Sequence, residues 1–361
     1  YCKAQIQNLH SLSKKKFLSL EYLDWNLFYS LYIGGKIDEG NYACVYKKKK
    51  HTEYDNENRV IKVQNIEPSD EWKHTIESQI SKSSSSDFGI PLNQNKTRNY
   101  LSSDELYDTM VEVEIHRLLS EYSTRYVPKL HAVQRSDNFR CLMDMEEISE
   151  TWEHYLGNIF KKTQRRCLPS HRIEHILFIF TFRIAYGLWD LQKKFNFTHR
   201  DLKFDNIGVR ETSNPTVDFK LNHTLYTISE NVSEVNIDPV FFDFGFSCLE
   251  YPKENYLSGN AFFDITQCNV KSQDLLMYTQ YFLINFRKLE KKAPIFWNFL
   301  TCITLESFHS NPNSSISMAY NKSQHNNIST FLRIFYKLET DNEKQNVEYS
   351  EDSENSENSE N

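Results

Sequence analysis

The chain has 361 residues, of which 39% are hydrophobic, 25% charged and 14% aromatic, with nine glycines and nine prolines. That length can bury a large core, and the balance is ordinary for a soluble folded protein. The net charge is −7, but residues 339–361 alone hold nine acids and one lysine, so the rest is close to neutral and no overall charge argues for nucleic-acid or membrane binding.

Seven cysteines stand at positions 2, 44, 141, 167, 248, 268 and 302. The number is odd and no C-x-x-C pair occurs, which argues against zinc and a disulfide framework and for reduced thiols in a cytosol-like compartment. The longest apolar stretch, around 173–189, is broken by Glu174, His175 and Arg183 and is no transmembrane span. The basic residues at 14–16 are followed by Glu21 and Asp24, which spoil a signal-peptide core. A cytoplasmic location is the expectation.

Taken in order, residues 17–32 place Phe17, Leu20, Leu27 and Leu31 at helical spacing and predict a helix. Residues 33–47, I-G-G-K-I-D-E-G-N-Y-A-C-V-Y-K, predict two strands about a glycine-containing turn. Lys47 to Lys50 form a solvated hairpin end. Residues 59–63, R-V-I-K-V, alternate as a half-buried strand that carries Lys62 between apolar neighbours. Residues 65–103 are polar, with S-K-S-S-S-S-D at 81–87, and read as a mostly disordered insertion open to phosphorylation. Helical spacing resumes near Glu105 through Leu106, Met110, Val113 and Leu118. Within it Glu112 shares an inward stripe with Ile115 and Leu119, whereas Glu114 has Arg117 and Glu121 at the matching positions.

Residues 126–133 and 139–145 read as a strand pair. Residues 171–194 give the strongest helix, with Ile173, Ile176, Leu177, Phe180, Ile184, Leu188 and Leu191 on one stripe. His171 and His175 lack a third ligand and read as exposed histidines near the helix start. In the long connection 210–238, T-V-D-F-K-L and T-L-Y-T-I read as strands of a hairpin, with Asp218 and Asp238 as turn or edge charges. The run P-V-F-F at 239–242 reads as a buried strand that delivers Asp243-Phe244-Gly245. Helices are expected at 272–282, with Ser272 as N-cap, and at 294–306 and 328–338. The S-E-N repeats of 339–361 form a disordered, solubilising tail.

Chemistry is concentrated at 198–206, T-H-R-D-L-K-F-D-N. A carboxylate (Asp201), a cation (Lys203) and a carboxamide (Asn206) at offsets of two and five suit a loop rather than a helix face. Phosphoryl transfer needs these groups: a carboxylate to take the hydroxyl proton, a cation for the moving phosphoryl group, and an oxygen ligand for metal. Residues 199–206 match H-R-D-L-x-x-x-N at every specified position, and D-F-G follows downstream. On these motifs the chain resembles the eukaryotic-type protein kinase superfamily over roughly residues 33–290.

The resemblance implies an α+β, two-lobed protein-kinase-like fold. Residues 1–32 would be an N-terminal extension and 33–338 the kinase-like domain. Its N-lobe, about 33–145, is an antiparallel sheet plus helix, and its C-lobe, about 146–338, is mostly helical. The implied activity is ATP- and Mg²⁺-dependent transfer to serine or threonine of a protein substrate, with Asp201 and Lys203 catalytic and Asn206 and Asp243 holding metal. Lys62, paired with Glu112 in preference to Glu114, would grip the α- and β-phosphates. Ile37, Gly40 and Val45 would form the lid, with Asp38 and Ala43 where the family has glycine. Met143 would be the gatekeeper, and the backbone of Asp144 to Glu146, including Met145, would meet adenine. Asp274 would accept backbone N–H bonds from the catalytic loop. No Ala-Pro-Glu occurs, which is a departure from the family. The insertions and compact large lobe are similar to divergent kinases of large cytoplasmic DNA viruses. A kinase-fold enzyme acting on a small molecule or lipid, and a nucleotide-binding pseudokinase scaffold, are the alternatives.

Overall fold

In the computed structural model, the structure describes residues 16, 19–39, 43–50, 57–66, 102–136, 140–148, 150–164, 169–212, 217–221, 224–228, 236–250, 256–259 and 273–309. The expected insertion core, Gly40, Ser272, the helix at 328–338 and the acidic tail lie outside them. The fold is mixed α+β. Among the described residues, no helix is long and apolar enough to cross a membrane.

A six-stranded sheet has the order β1-β5-β6-β4-β3-β2, built from β1 (Glu21–Leu23), β2 (Ile33–Glu39), β3 (Ala43–Lys48), β4 (Arg59–Asn65), β5 (Leu130–Ser136) and β6 (Arg140–Glu146). All neighbours are antiparallel except β1, which runs parallel to β5. The alternation read in R-V-I-K-V is visible in β4: Ile61 and Val63 bury against α1 (Trp25–Tyr32) on one face, through Phe28, Ile33 and Leu142. On the other face, Ile66, Cys141 and Met143 meet Leu106, Met110 and Val113 of α2 (Ser102–Tyr122). The turn of α2 that follows carries Val111, Ile115, Leu118 and Leu119 into the main core. One helix therefore packs against both the sheet and the rest of the molecule.

The predicted helix at 17–32 is corrected. Lys16 and Ser19 are helical, but residues 21–23 instead pair with β5, and a separate helix runs from Trp25, where Asp24 caps it by accepting from the Leu27 N–H at 2.8 Å. An open sheet edge offers residues 21–23 more backbone partners than a helix end would. The buried face is set by Phe28, 7% exposed, while Leu27 is 61% exposed. The insertion also shrinks: Asn65 belongs to β4, Ile66 is buried, and α2 already runs at Ser102.

The remainder is mostly helical. α3 (Trp152–Gln164) follows the two-residue strand β7 (Glu150–Thr151), and α4 (Ser170–Phe195) buries every residue of the predicted stripe. Asn196 ends α4 in the left-handed region at φ 47°, where asparagine is tolerated. β8 (Ile207–Glu211) and β11 (Ile237–Phe241) pair antiparallel beside β7, with the expected hairpin β9 (Val217–Leu221) and β10 (Thr224–Ile228) between them in sequence. β12 (Cys248–Glu250) pairs with β13 (Tyr256–Ser258), and α5 (Gln273–Asn285) and α6 (Pro294–His309) close the described chain.

Two further expectations are corrected. Asp238 does lie on the edge strand β11, but it is buried and accepts from Arg125 at 2.9 and 3.0 Å, with the buried Arg183 guanidinium at 3.5 Å. Its partners come from α4 and from the turn after α2, so nothing local in the sequence announces the pair. The thiols are not all reduced either. Cys248, fully buried, is disulfide-bonded, while Cys44 and Cys141 are free. Cysteines far apart in sequence can still meet, so an absent C-x-x-C does not exclude a disulfide.

Candidate active site

Residues 198–206 follow α4 as a loop that ends in a 3-10 turn at Phe204–Asn206 and is anchored from behind. Thr198 bridges to Cys248, and the N–H groups of His199 and Arg200 donate to the Asp274 carboxylate at 2.7 and 2.8 Å. Asp274 is fully buried in the first turn of α5, so the acceptor expected for this loop is where the sequence reading put it. Burial raises its pKa, and the loop's donors oppose that rise. Arg200, at φ 66°, is also held by the Ser258 hydroxyl at 2.9 Å. Burial lowers the Arg200 guanidinium to about 10.

Within the loop the three chemical groups converge. Asn206 Nδ2 donates to the Asp201 carbonyl and to Asp201 Oδ2, both at 2.9 Å, and Lys203 Nζ lies 3.2 Å from the same Oδ2. Burial alone would lower the Lys203 pKa, but Asp201 outweighs it and raises it. Both Asn206 contacts are acceptors, so its amide oxygen must face the other way. The Phe242 N–H donates to the Asn206 carbonyl at 3.2 Å, which brings Asp243 alongside the loop. Asp243 has φ 64° and ψ 69°, a left-handed conformation that costs a non-glycine residue energy.

Asp243 also meets the sheet. Lys62 Nζ lies 2.5 Å from Glu112 Oε1 and 2.8 Å from Asp243 Oδ1. Lys62 holds its proton more tightly than an ordinary lysine because Glu112 and Asp243 together outweigh its burial. In turn Lys62 draws the Asp243 pKa below the usual carboxylate range. Glu114, the rival of Glu112, faces outward to Arg117 at 2.7 Å and Lys16 at 3.1 Å. Glu112→Gln should therefore cost about 3 kcal/mol in chemical denaturation, because the buried ammonium loses a charged partner. Glu114→Gln should cost under about 1 kcal/mol, as for partly exposed pairs. Equal losses would contradict this assignment.

Register lines up Asp38, Val45, Lys62 and Met143 across β2, β3, β4 and β6, and paired residues share a face. Asp38 thus faces the Lys62 side, exposed, while Ile37 sits exposed at the strand irregularity beside it. Met143 is fully buried against α2, and Met145 lies two residues further along the same face, opposite Val60.

Part of the backbone expected to meet adenine is committed within the sheet. β6 is paired on both sides, the Glu146 N–H donates to Lys129 and the Glu147 N–H to Asn58, both at 2.9 Å. The Lys129 N–H goes to the Glu146 side chain at 3.1 Å rather than to its carbonyl. Ile148 packs onto β8 at Gly208, where a Cβ would clash with it.

Sequence reading missed two residues of the site. His116 places its ring 5.3 Å from that of Phe244 and bonds the Pro128 carbonyl from Nε2 at 2.8 Å. Gln64 donates from Nε2 to Glu112 Oε2 at 2.5 Å. The available signal was position: Gln64 is two residues past Lys62 on a strand, and His116 four past Glu112 on a helix.

Burial lowers the His116 pKa to about 4. The fold therefore favours neutral imidazole, while the unfolded chain titrates near 6.5. The contribution is complete above the unfolded value and is lost as pH falls toward the folded one. From pH 7 to 4, wild type should lose on the order of 3 kcal/mol more stability than His116→Leu. Parallel pH-stability curves for the two proteins would contradict this.

No protein-family model matches this chain, and no curated protein matches it.

Proposed function

We propose that the chain is a two-lobed, protein-kinase-like enzyme that transfers the γ-phosphoryl group of ATP to serine or threonine hydroxyls of a protein, with Mg²⁺. One observation carries this reading: Lys62, Glu112 and Asp243, remote in sequence, form a single ion cluster beside the Asp201–Lys203–Asn206 loop.

The donor set fits magnesium. Asp243 has a carboxylate oxygen beyond the one on Lys62, and Asn206 has its amide oxygen turned away from Asp201. Hard oxygen ligands in small number suit Mg²⁺, which takes its remaining ligands from phosphate and water. Among the described residues there is no cluster of three or more His, Cys, Asp or Glu that would instead suit a fully protein-bound metal. When bound, the metal would neutralise negative charge on the nucleotide phosphates.

Asp201 takes the proton of the substrate hydroxyl as that oxygen bonds to the γ-phosphorus. The bond to the bridging oxygen breaks, and ADP leaves with the electron pair. Asn206 and Lys203 both hold Asp201 Oδ2 and so aim the carboxylate. Lys203 steadies the charge on the transferring group. Lys62, kept protonated, binds the α- and β-phosphates. Adenine would meet backbone at the end of β6, where the Glu146 N–H is already spent on Lys129 and the carbonyl is the group on offer. Asp38 does not preclude this: two strands from Lys62 is about 10 Å, and like charges at that distance in water cost only about 0.4 kcal/mol.

The test is transfer of labelled γ-phosphate from ATP to a basic protein, against a panel of small-molecule alcohols. Labelled phosphoserine or phosphothreonine with Mg²⁺, abolished by EDTA, is expected. Label on small molecules alone favours the small-molecule reading, and no transfer at all favours the scaffold.

A further inference from the structure

Gln64 is an expensive residue for its place. Its cross-strand partner is Cys141, and the face they share carries Ile66 and Met143 against Met110 and Val113. Its side chain is buried, and its carbonyl oxygen Oε1 has no hydrogen-bond partner among the described residues. A buried carboxamide with one end unsatisfied is costly, and an apolar residue would fill the same space without that cost. What the amide does have is Glu112. Lys62 holds Oε1 of that carboxylate and Gln64 holds Oε2, each at 2.5 Å. A Cβ added at Gly245 would stand 3.6 Å from Oε2, so the backbone of the D-F-G segment bounds the same oxygen.

We infer that Gln64 is a positioning residue for Lys62, acting through Glu112. This deepens the phosphoryl-transfer reading and rests on it. With Oε2 tied to Gln64, the carboxylate cannot turn to take the ammonium with both oxygens. Lys62 has three N–H donors. One goes to Glu112 and one to Asp243, which leaves the third for a nucleotide phosphate. Without Gln64, Glu112 is free to chelate Lys62 and draw it off the phosphate.

The test is a double-mutant cycle on the binding of Mg²⁺ with a non-hydrolysable ATP analogue, measured by titration calorimetry. Gln64→Met keeps length and loses the donor. It should weaken binding about tenfold, the effect of one displaced charge-assisted hydrogen bond, and raise KM for ATP more than it lowers kcat. In a Lys62→Met background the same change should move affinity less than about twofold, because the residue it positions is gone. Binding by Gln64→Met within twofold of wild type overturns the inference. So does an equal loss in both backgrounds, which marks a general structural role. Loss of the folded state in both Gln64→Met and Gln64→Leu would also overturn it, by assigning the residue to packing. An unsubstituted chain that binds no analogue overturns the phosphoryl-transfer reading itself, and this inference with it.

Discussion

Asp201→Asn should lower phosphoryl transfer by about two to four orders of magnitude, the usual weight of a positioned general base, while ATP affinity stays within about twofold. The substitution is nearly isosteric. It keeps an oxygen for Asn206 and for Lys203, which now hold Asp201 Oδ2 at 2.9 and 3.2 Å. It removes the capacity to take a proton, together with the charge that pairs with the half-exposed Lys203. The prediction separates chemistry from binding because Lys62, proposed to hold phosphate, and Asp243, proposed to hold metal, are untouched. Single-turnover transfer and analogue binding, measured on the same preparation, check it. Equal turnover in both proteins would remove Asp201 from the reaction. A joint loss of binding and turnover would show that the carboxylate is structural.

Asp274→Asn should be strongly destabilising, costing about 3 kcal/mol, as one charge-assisted bond is lost and one buried donor is left facing another. Both oxygens of this fully buried carboxylate are in use, on the N–H groups of His199 and Arg200. An asparagine can accept only one of them and turns its own NH₂ toward the other. At about 2.1 cal/mol/K per residue, a chain of this size should lose about 4 °C in melting temperature. Turnover should also fall, because residues 199 and 200 lead directly into Asp201. A melting temperature within about 2 °C of wild type would mean that the loop holds its shape without this anchor.

Some of the site was legible because its chemistry imposes residue types at short, fixed spacings. Asp201, Lys203 and Asn206 lie within one loop, and their mutual bonds require no remote partner. The choice of Glu112 over Glu114 was legible for a similar reason, since helical periodicity alone puts Glu112 with Ile115 and Leu119, both fully buried. The first helix was misread because its apolar residues occupy both faces, and only contact with Ile33, Ile61 and Leu142 chose Phe28 over Leu27.

The sequence by itself determined the α+β composition, the long buried helix, the residue types gathered at 198–206 and, once the kinase resemblance called for a glutamate beside Lys62, the choice of Glu112 over Glu114. The choice within each element depends on periodicity and on spacing along it. Only the tertiary structure decided that Asp238 is buried between two arginines, that the N–H groups of Glu146 and Glu147 are spent on Lys129 and Asn58, that Cys248 is oxidised and that Gln64 holds Glu112. The Asp238, Glu147 and Gln64 contacts each join elements far apart in the chain. Burial, hydrogen-bond supply and charge compensation follow from what the fold packs against a residue, and a linear pattern does not record that.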